Sequence, residues 1–168
     1  KVRDWQSQKY IEKEFSEKNL NALYTLATIY EKNEDFENAH RLYSSIYKKF
    51  SKDNYGIQSL FRQAQLYYSN KDFKNAEDCF YEFIYKYPND ENLVSAMYYC
   101  SECYLKNGKK QNALMMCNTI VSSFPYSAYD YASYKNLVSI YYDLNDYSSA
   151  LETTNILVKK YPAQVGAD

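Results

Sequence analysis

Apolar residues in this chain recur at helical spacing, and the helical stretches themselves recur. Leu23, Leu26, Ala27 and Tyr30 stand at i, i+3, i+4 and i+7, one face of an amphipathic helix. Phe36, Ala39, Tyr43, Ile46 and Phe50 line one side of a second helix. The pair returns as Leu60, Ala64 and Tyr67 with Phe73, Ala76, Phe80, Phe83 and Tyr87, then as Met97, Cys100, Ser101 and Tyr104 with Ala113, Cys117, Ile120 and Phe124. A fourth copy has Tyr134, Leu137, Val138 and Tyr141 with Tyr147, Ala150, Leu157 and Tyr161. Ala39, Ala76, Ala113 and Ala150 fall 37 residues apart, as do Pro88, Pro125 and Pro162, with Ser51 where a fourth proline would stand. A period of this length marks a solenoid, in which each unit buries its apolar face on its neighbours.

The pattern predicts an all-α chain of four helical hairpins at residues 20–51, 57–88, 94–125 and 131–162. An N-terminal helix within 1–18, carrying Trp5, Ile11 and Phe15, reads as the second helix of a preceding repeat, so the chain reads as a piece of a longer protein with a short tail at 163–168. Asp35, Asp72 and Asp146 stand where a side chain can cap the second helix of a pair, and Asp53, Asp90 and Ser127 where one can cap the first. The prolines stop the preceding helices, and the first helices of repeats two to four are expected to begin about a turn before their apolar face. Gly108 is the one turn residue that takes a left-handed backbone freely. The alanines, together with Ala22, Ser59, Ala96 and Ser133, mark places where two helices approach too closely for a larger side chain.

Composition narrows the functions. With a net charge of -1, an isoelectric point near 5.9 and three arginines, the chain has no general attraction for phosphate, which argues against nucleic acid. No apolar run reaches the roughly 20 residues that cross a bilayer. Tyrosine is over-abundant, 22 among 168 residues, and its flat apolar body with a polar tip suits both half-buried packing and contact surfaces. Cys100 and Cys103 have a CxxC spacing, but Cys103 shares its place in the period with Ile29, Leu66 and Ile140, and Cys117 with Tyr43 and Phe80, so the thiols read as core residues rather than metal ligands. A Cys100 to Cys117 disulfide stays open as an alternative. His40 is the lone histidine and reads as a surface residue; with no phosphate loop and no nucleophile constellation, neither an enzyme nor a cofactor is expected.

The order Leu60, Gln63, Ala64, Tyr67, Ala76, Phe80, Phe83 and Pro88 resembles the tetratricopeptide repeat, a helix-turn-helix unit of 34 residues. Gln63 stands in place of the family's leucine and Phe83 in place of its second alanine. The resemblance covers residues 20–162 and implies a right-handed superhelix whose concave face, lined by the first helix of each repeat, holds a protein or peptide. Carried onto this chain, that face comprises Tyr24, Thr28, Phe61, Arg62, Gln65, Tyr68, Tyr98, Glu102, Leu105, Lys135 and Tyr142. The lysines and asparagines with which some members grip acidic tails are missing at Tyr24 and Thr28. The competing expectation is a structural spacer or self-association module whose exposed terminal repeats stack on further copies. The 37-residue period with its Lys-Tyr-Pro and Ser-Phe-Pro endings is similar to a subgroup common in bacterial cell-envelope proteins, which points to the periplasm or envelope, whereas unpaired thiols point to the cytoplasm.

Overall fold

The computed structural model describes residues 19–165; the helix expected within 1–18 and the end of the tail from residue 166 lie outside them. Among the described residues all regular structure is helical. In chain order the helices are α1 (Leu20–Lys32), α2 (Phe36–Phe50), α3 (Asn54–Ser69), α4 (Phe73–Lys86), α5 (Leu93–Lys106), α6 (Lys110–Ser123), α7 (Asp130–Asp143), α8 (Tyr147–Lys160) and the single turn α9 (Pro162–Val165). Of the described residues, those up to Leu66 belong to one compact unit and those from Tyr67 to a second. Within the first, α1 packs on α2; within the second, α4 to α9 each pack on the next in order.

The hairpin turns share one local design. Asp35, Asp72 and Asp146 each accept a bond from a backbone N–H three residues on, at Asn38, Asn75 and Ser149, over 3.3, 3.3 and 3.1 Å. Their second carboxylate oxygens hold the side chains of the same three residues, each at 2.7 Å. The residue before each cap is left-handed: Glu34, Lys71 and Asn145 have φ of 59°, 61° and 61°. Gly108 has the same geometry at 74°, so the left-handed residue belongs to all four turns and not only to the one with glycine. The third turn lacks the aspartate. Lys109 stands there, gives no side-chain cap, and instead sends its ammonium 2.6 Å to the buried Glu77, whose other oxygen accepts from Asn107 at 2.7 Å.

Connections between hairpins are less uniform. Helix α3 does start about a turn early, with Asp53 accepting from Tyr55 N–H at 2.8 Å. That start presses the helix onto the end of α2: a Cβ on Gly56 would lie 1.8 Å from the Phe50 carbonyl oxygen, so only glycine fits. Asp90 closes a local turn onto Asn92 N–H at 2.8 Å, leaving α5 to begin at Leu93. Ser127 is not the cap expected of it. Its hydroxyl makes no hydrogen bond among the described residues, and Asp130 reaches back to accept from Tyr126 N–H at 2.7 Å.

The first unit gathers Ala27, Ala39, Leu42, Tyr43 and Leu66 into one buried cluster and Leu20, Leu23 and Ile46 into another. In the second unit Phe80, Phe83, Ile120, Leu137 and Ile140 are closed off from solvent together with three cysteines. Phe83, larger than the family's alanine at that place, is fully enclosed and lies 5.5 Å from the Tyr87 ring. Ser59, Ala96 and Ser133 are buried as their spacing implies, but Ala22 is exposed. It lies with Thr25 and the exposed Ile29 on a side of α1 that no described helix covers, which also removes Ile29 from the core.

Among the described residues one charged group is enclosed completely. Asp130, at the start of α7, accepts from Lys160 Nζ at 2.5 Å and Tyr161 hydroxyl at 2.6 Å, both at the end of α8. Burial alone would raise its carboxyl, but Lys160, Tyr161 and the Tyr126 N–H hold it below the ordinary aspartate range. The Lys160 ammonium also sits over the Tyr126 and Tyr134 rings at 4.5 and 5.0 Å.

Ala76 has no exposed surface. Ala76→Leu is therefore expected to overpack the unit and destabilise it by roughly 1–3 kcal/mol, read as a lower urea midpoint. An unchanged midpoint would show that the site has room to spare.

Candidate functional site

In the first unit, the residues assigned to the contact face are largely engaged with their own neighbours. Tyr24 is half-buried, its ring 5.7 Å from Tyr43 and 5.3 Å from Tyr55. Thr28 donates to the Thr25 carbonyl at 2.7 Å. Arg62 is exposed, but it lies 3.8 Å from Glu31 and 3.4 Å from the Gln65 side-chain oxygen. Glu31 in turn accepts from the Tyr43 hydroxyl at 2.7 Å, and burial followed by this carboxylate pushes that hydroxyl's pKa far up. Phe61, expected in an aromatic row, is buried at 6% exposure and offers little surface to a partner.

The second unit is different. Tyr68 at the end of α3 lies 5.6 Å from Phe73 and 5.1 Å from Tyr99, and Tyr99 lies 5.6 Å from Tyr98. Tyr98 stacks on Tyr129 at 4.9 Å with the planes 26° apart, and the Tyr129 hydroxyl lies 2.9 Å from Ser95 Oγ. These rings form one continuous series, edge-on except for the stacked Tyr98–Tyr129 pair, in which every tyrosine is half-buried. Burial, and after it Glu102, raises the Tyr98 hydroxyl to about 12; the same two causes raise Tyr68. Glu102 is one turn along α5 from Tyr98 and accepts from Asn136 at 2.5 Å. Leu105 is half-buried on the same helix, Lys135 is exposed with its ammonium 5.6 Å from the Tyr131 ring, and Tyr142 is 63% exposed beside Tyr147 at 5.4 Å.

Tyr99 and Tyr129 belong to this surface, and the sequence reading missed both. Tyr129 lies just ahead of α7, outside the face of the predicted helix. Its signal was in the period: Tyr24 with Tyr55 in the first unit is repeated, two periods on, by Tyr98 with Tyr129.

Comparison with known proteins agrees with this architecture. A family model described as the tetratricopeptide repeat matches residues 58–90, 95–127 and 136–163. Among curated proteins, none matches the sequence. Among solved structures, the chain is similar to a MamA protein at 15% identity and a TM-score of 0.73, over 88% of this chain and 75% of that one. It is also similar to MamA from Desulfovibrio magneticus RS-1, at 14% identity, TM-score 0.70, 88% and 78%. A third similar structure is a putative kinesin light chain from Podosopora anserina with nearly identical repeats, at 15% identity, TM-score 0.69, 97% and 85%. At these identities the likeness is one of fold.

The thiols take no part in the tyrosine surface. All four are free, so the Cys100 to Cys117 disulfide is not formed, and Cys100, Cys103 and Cys117 are buried. His40 is half-buried rather than on the surface. Burial raises Cys79, Cys100 and Cys103 from 9.0 to about 12 and Cys117 to about 11. A thiol whose pKa is higher in the folded than in the unfolded state contributes stability that is present in full below pH 9 and is lost as pH climbs through 9 toward 12. Urea denaturation at about pH 11 is expected to show stability lower by about 2 kcal/mol or more than at about pH 7, with a smaller fall in Cys100→Ala.

Proposed function

Since the chain belongs to the tetratricopeptide repeat family, we propose that it binds another protein noncovalently, laying a peptide or helix of that partner along the first-helix face of residues 67–165. Repeats of this kind are protein-interaction scaffolds and generally non-catalytic. The observation that carries the reading is the unbroken series Phe73, Tyr68, Tyr99, Tyr98 and Tyr129. Rigid half-buried rings give contact area at small entropy cost, because a tyrosine has two side-chain torsions to immobilise and these are already held by neighbouring rings. The exposed Tyr142 further along supplies an anchor that needs no rearrangement.

The test is affinity capture followed by mass spectrometry, with the chain compared against Tyr98→Ala combined with Tyr142→Ala. Proteins held by the parent chain are expected to be lost from the variant while its far-ultraviolet circular dichroism stays helical. Capture retained in full by a helical variant would rule out this face.

A second reading, self-association, is favoured by α8. Tyr147, Leu151 and Val158 recur at helical spacing on one side of it and are 57%, 64% and 44% exposed. Light scattering over a range of concentrations is expected to give a rising mass if this face pairs between copies, and Leu151→Lys should abolish the rise. A constant mass would leave the tyrosine face alone.

A further inference from the structure

From the arrangement around Glu102 we infer that the partner presents a basic side chain, arginine above all, which inserts among Tyr68, Tyr98 and Tyr99 and pairs with the Glu102 carboxylate. This rests on the proposed binding face and adds the chemistry of what enters it. The argument is one of charge complementarity. Glu102 is half-buried on α5, and among the described residues its only hydrogen-bond partner is the neutral amide of Asn136 and no lysine or arginine pairs with it. Other buried or half-buried carboxylates have cations, as Glu31 has Arg62, Glu77 has Lys109 and Asp130 has Lys160, while the half-buried Asp35, Asp72 and Asp90 instead accept from backbone N–H groups in their turns, a partner Glu102 lacks among the described residues.

Its surroundings are suited to a cation. The Tyr68, Tyr98 and Tyr99 rings stand in series at 5.1 and 5.6 Å, and Glu102 is one turn along α5 from Tyr98; after burial its charge raises the Tyr68 and Tyr98 hydroxyls, and Tyr99 feels it after burial and Tyr129. Aromatic faces attract cations through their quadrupole, and a planar guanidinium stacks on a ring while it donates to a carboxylate. The chain builds such a cage for itself in the second unit, where Lys160 reaches Asp130 across the Tyr126 and Tyr134 rings. At Glu102 the carboxylate and the rings are in place and the cation is left to the partner.

The experiment uses the full chain and fluorescein-labelled peptides with a shared leucine- and alanine-containing frame that differ only at one central residue: arginine, lysine, citrulline or glutamate. Citrulline keeps the shape of arginine without its charge. Fluorescence anisotropy is expected to rank arginine first and citrulline about tenfold or more weaker, with glutamate weakest; Glu102→Gln should bring arginine down to citrulline. An arginine preference that survives in Glu102→Gln would overturn the inference. Equal binding of arginine and citrulline would overturn it too and leave the aromatic face standing, provided Tyr98→Ala lowers the affinity of both. If no peptide binds, both the inference and the face are wrong.

Discussion

The whole fold depends on helices that approach closely at points where only a methyl or a hydroxyl fits between them. Ala39, Ala76 and Ala113 have no exposed surface, nor do Ser59, Ala96 and Ser133, so each larger neighbour can lie flat over the contact and exclude water. The burial of Phe80, Phe83 and Ile120 follows from that closeness. Gly56 is the extreme case, where the approach leaves no room even for a methyl beside the Phe50 carbonyl.

Close packing explains why the helical part of the structure was legible in the chain. A 37-residue recurrence of small and aromatic residues admits one kind of solution, and the aspartate caps at Asp35, Asp72 and Asp146 follow from local chemistry that three residues on either side determine. What was not legible depends on the position of a helix in the series. Ala22 and Ile29 obey the period and are still exposed, because a periodic residue is buried only where a neighbouring helix lies over it, and none of the described helices does so here. Ser127 has the right chemistry for a cap, but Asp130 competes for the same turn and prevails, being drawn in by Lys160 and Tyr161.

The contact surface follows the same division. Residues read off the first helices were correctly placed on them, yet Phe61 is buried where its counterpart Tyr98 is half-open, and the series is completed by Tyr99 and Tyr129, which a helical-face argument passes over. Charge tells more than aromatic content here. Arg62 and Glu31 satisfy each other in the first unit, so a ring-lined face there is electrostatically closed, whereas Glu102 leaves its counterpart in the second unit with an unspent negative charge.

The four left-handed turn residues have a consequence for how such a chain could be altered. A side chain with φ near +60° sits roughly 1–2 kcal/mol above its relaxed backbone, a strain that glycine escapes. Glu34 and Lys71 carry it, Asn145 carries less because asparagine tolerates this region, and Gly108 carries none. The third hairpin escapes that strain but lacks the aspartate cap of the other three, so a turn that joined its glycine to their aspartate would combine two advantages that no hairpin among the described residues has together.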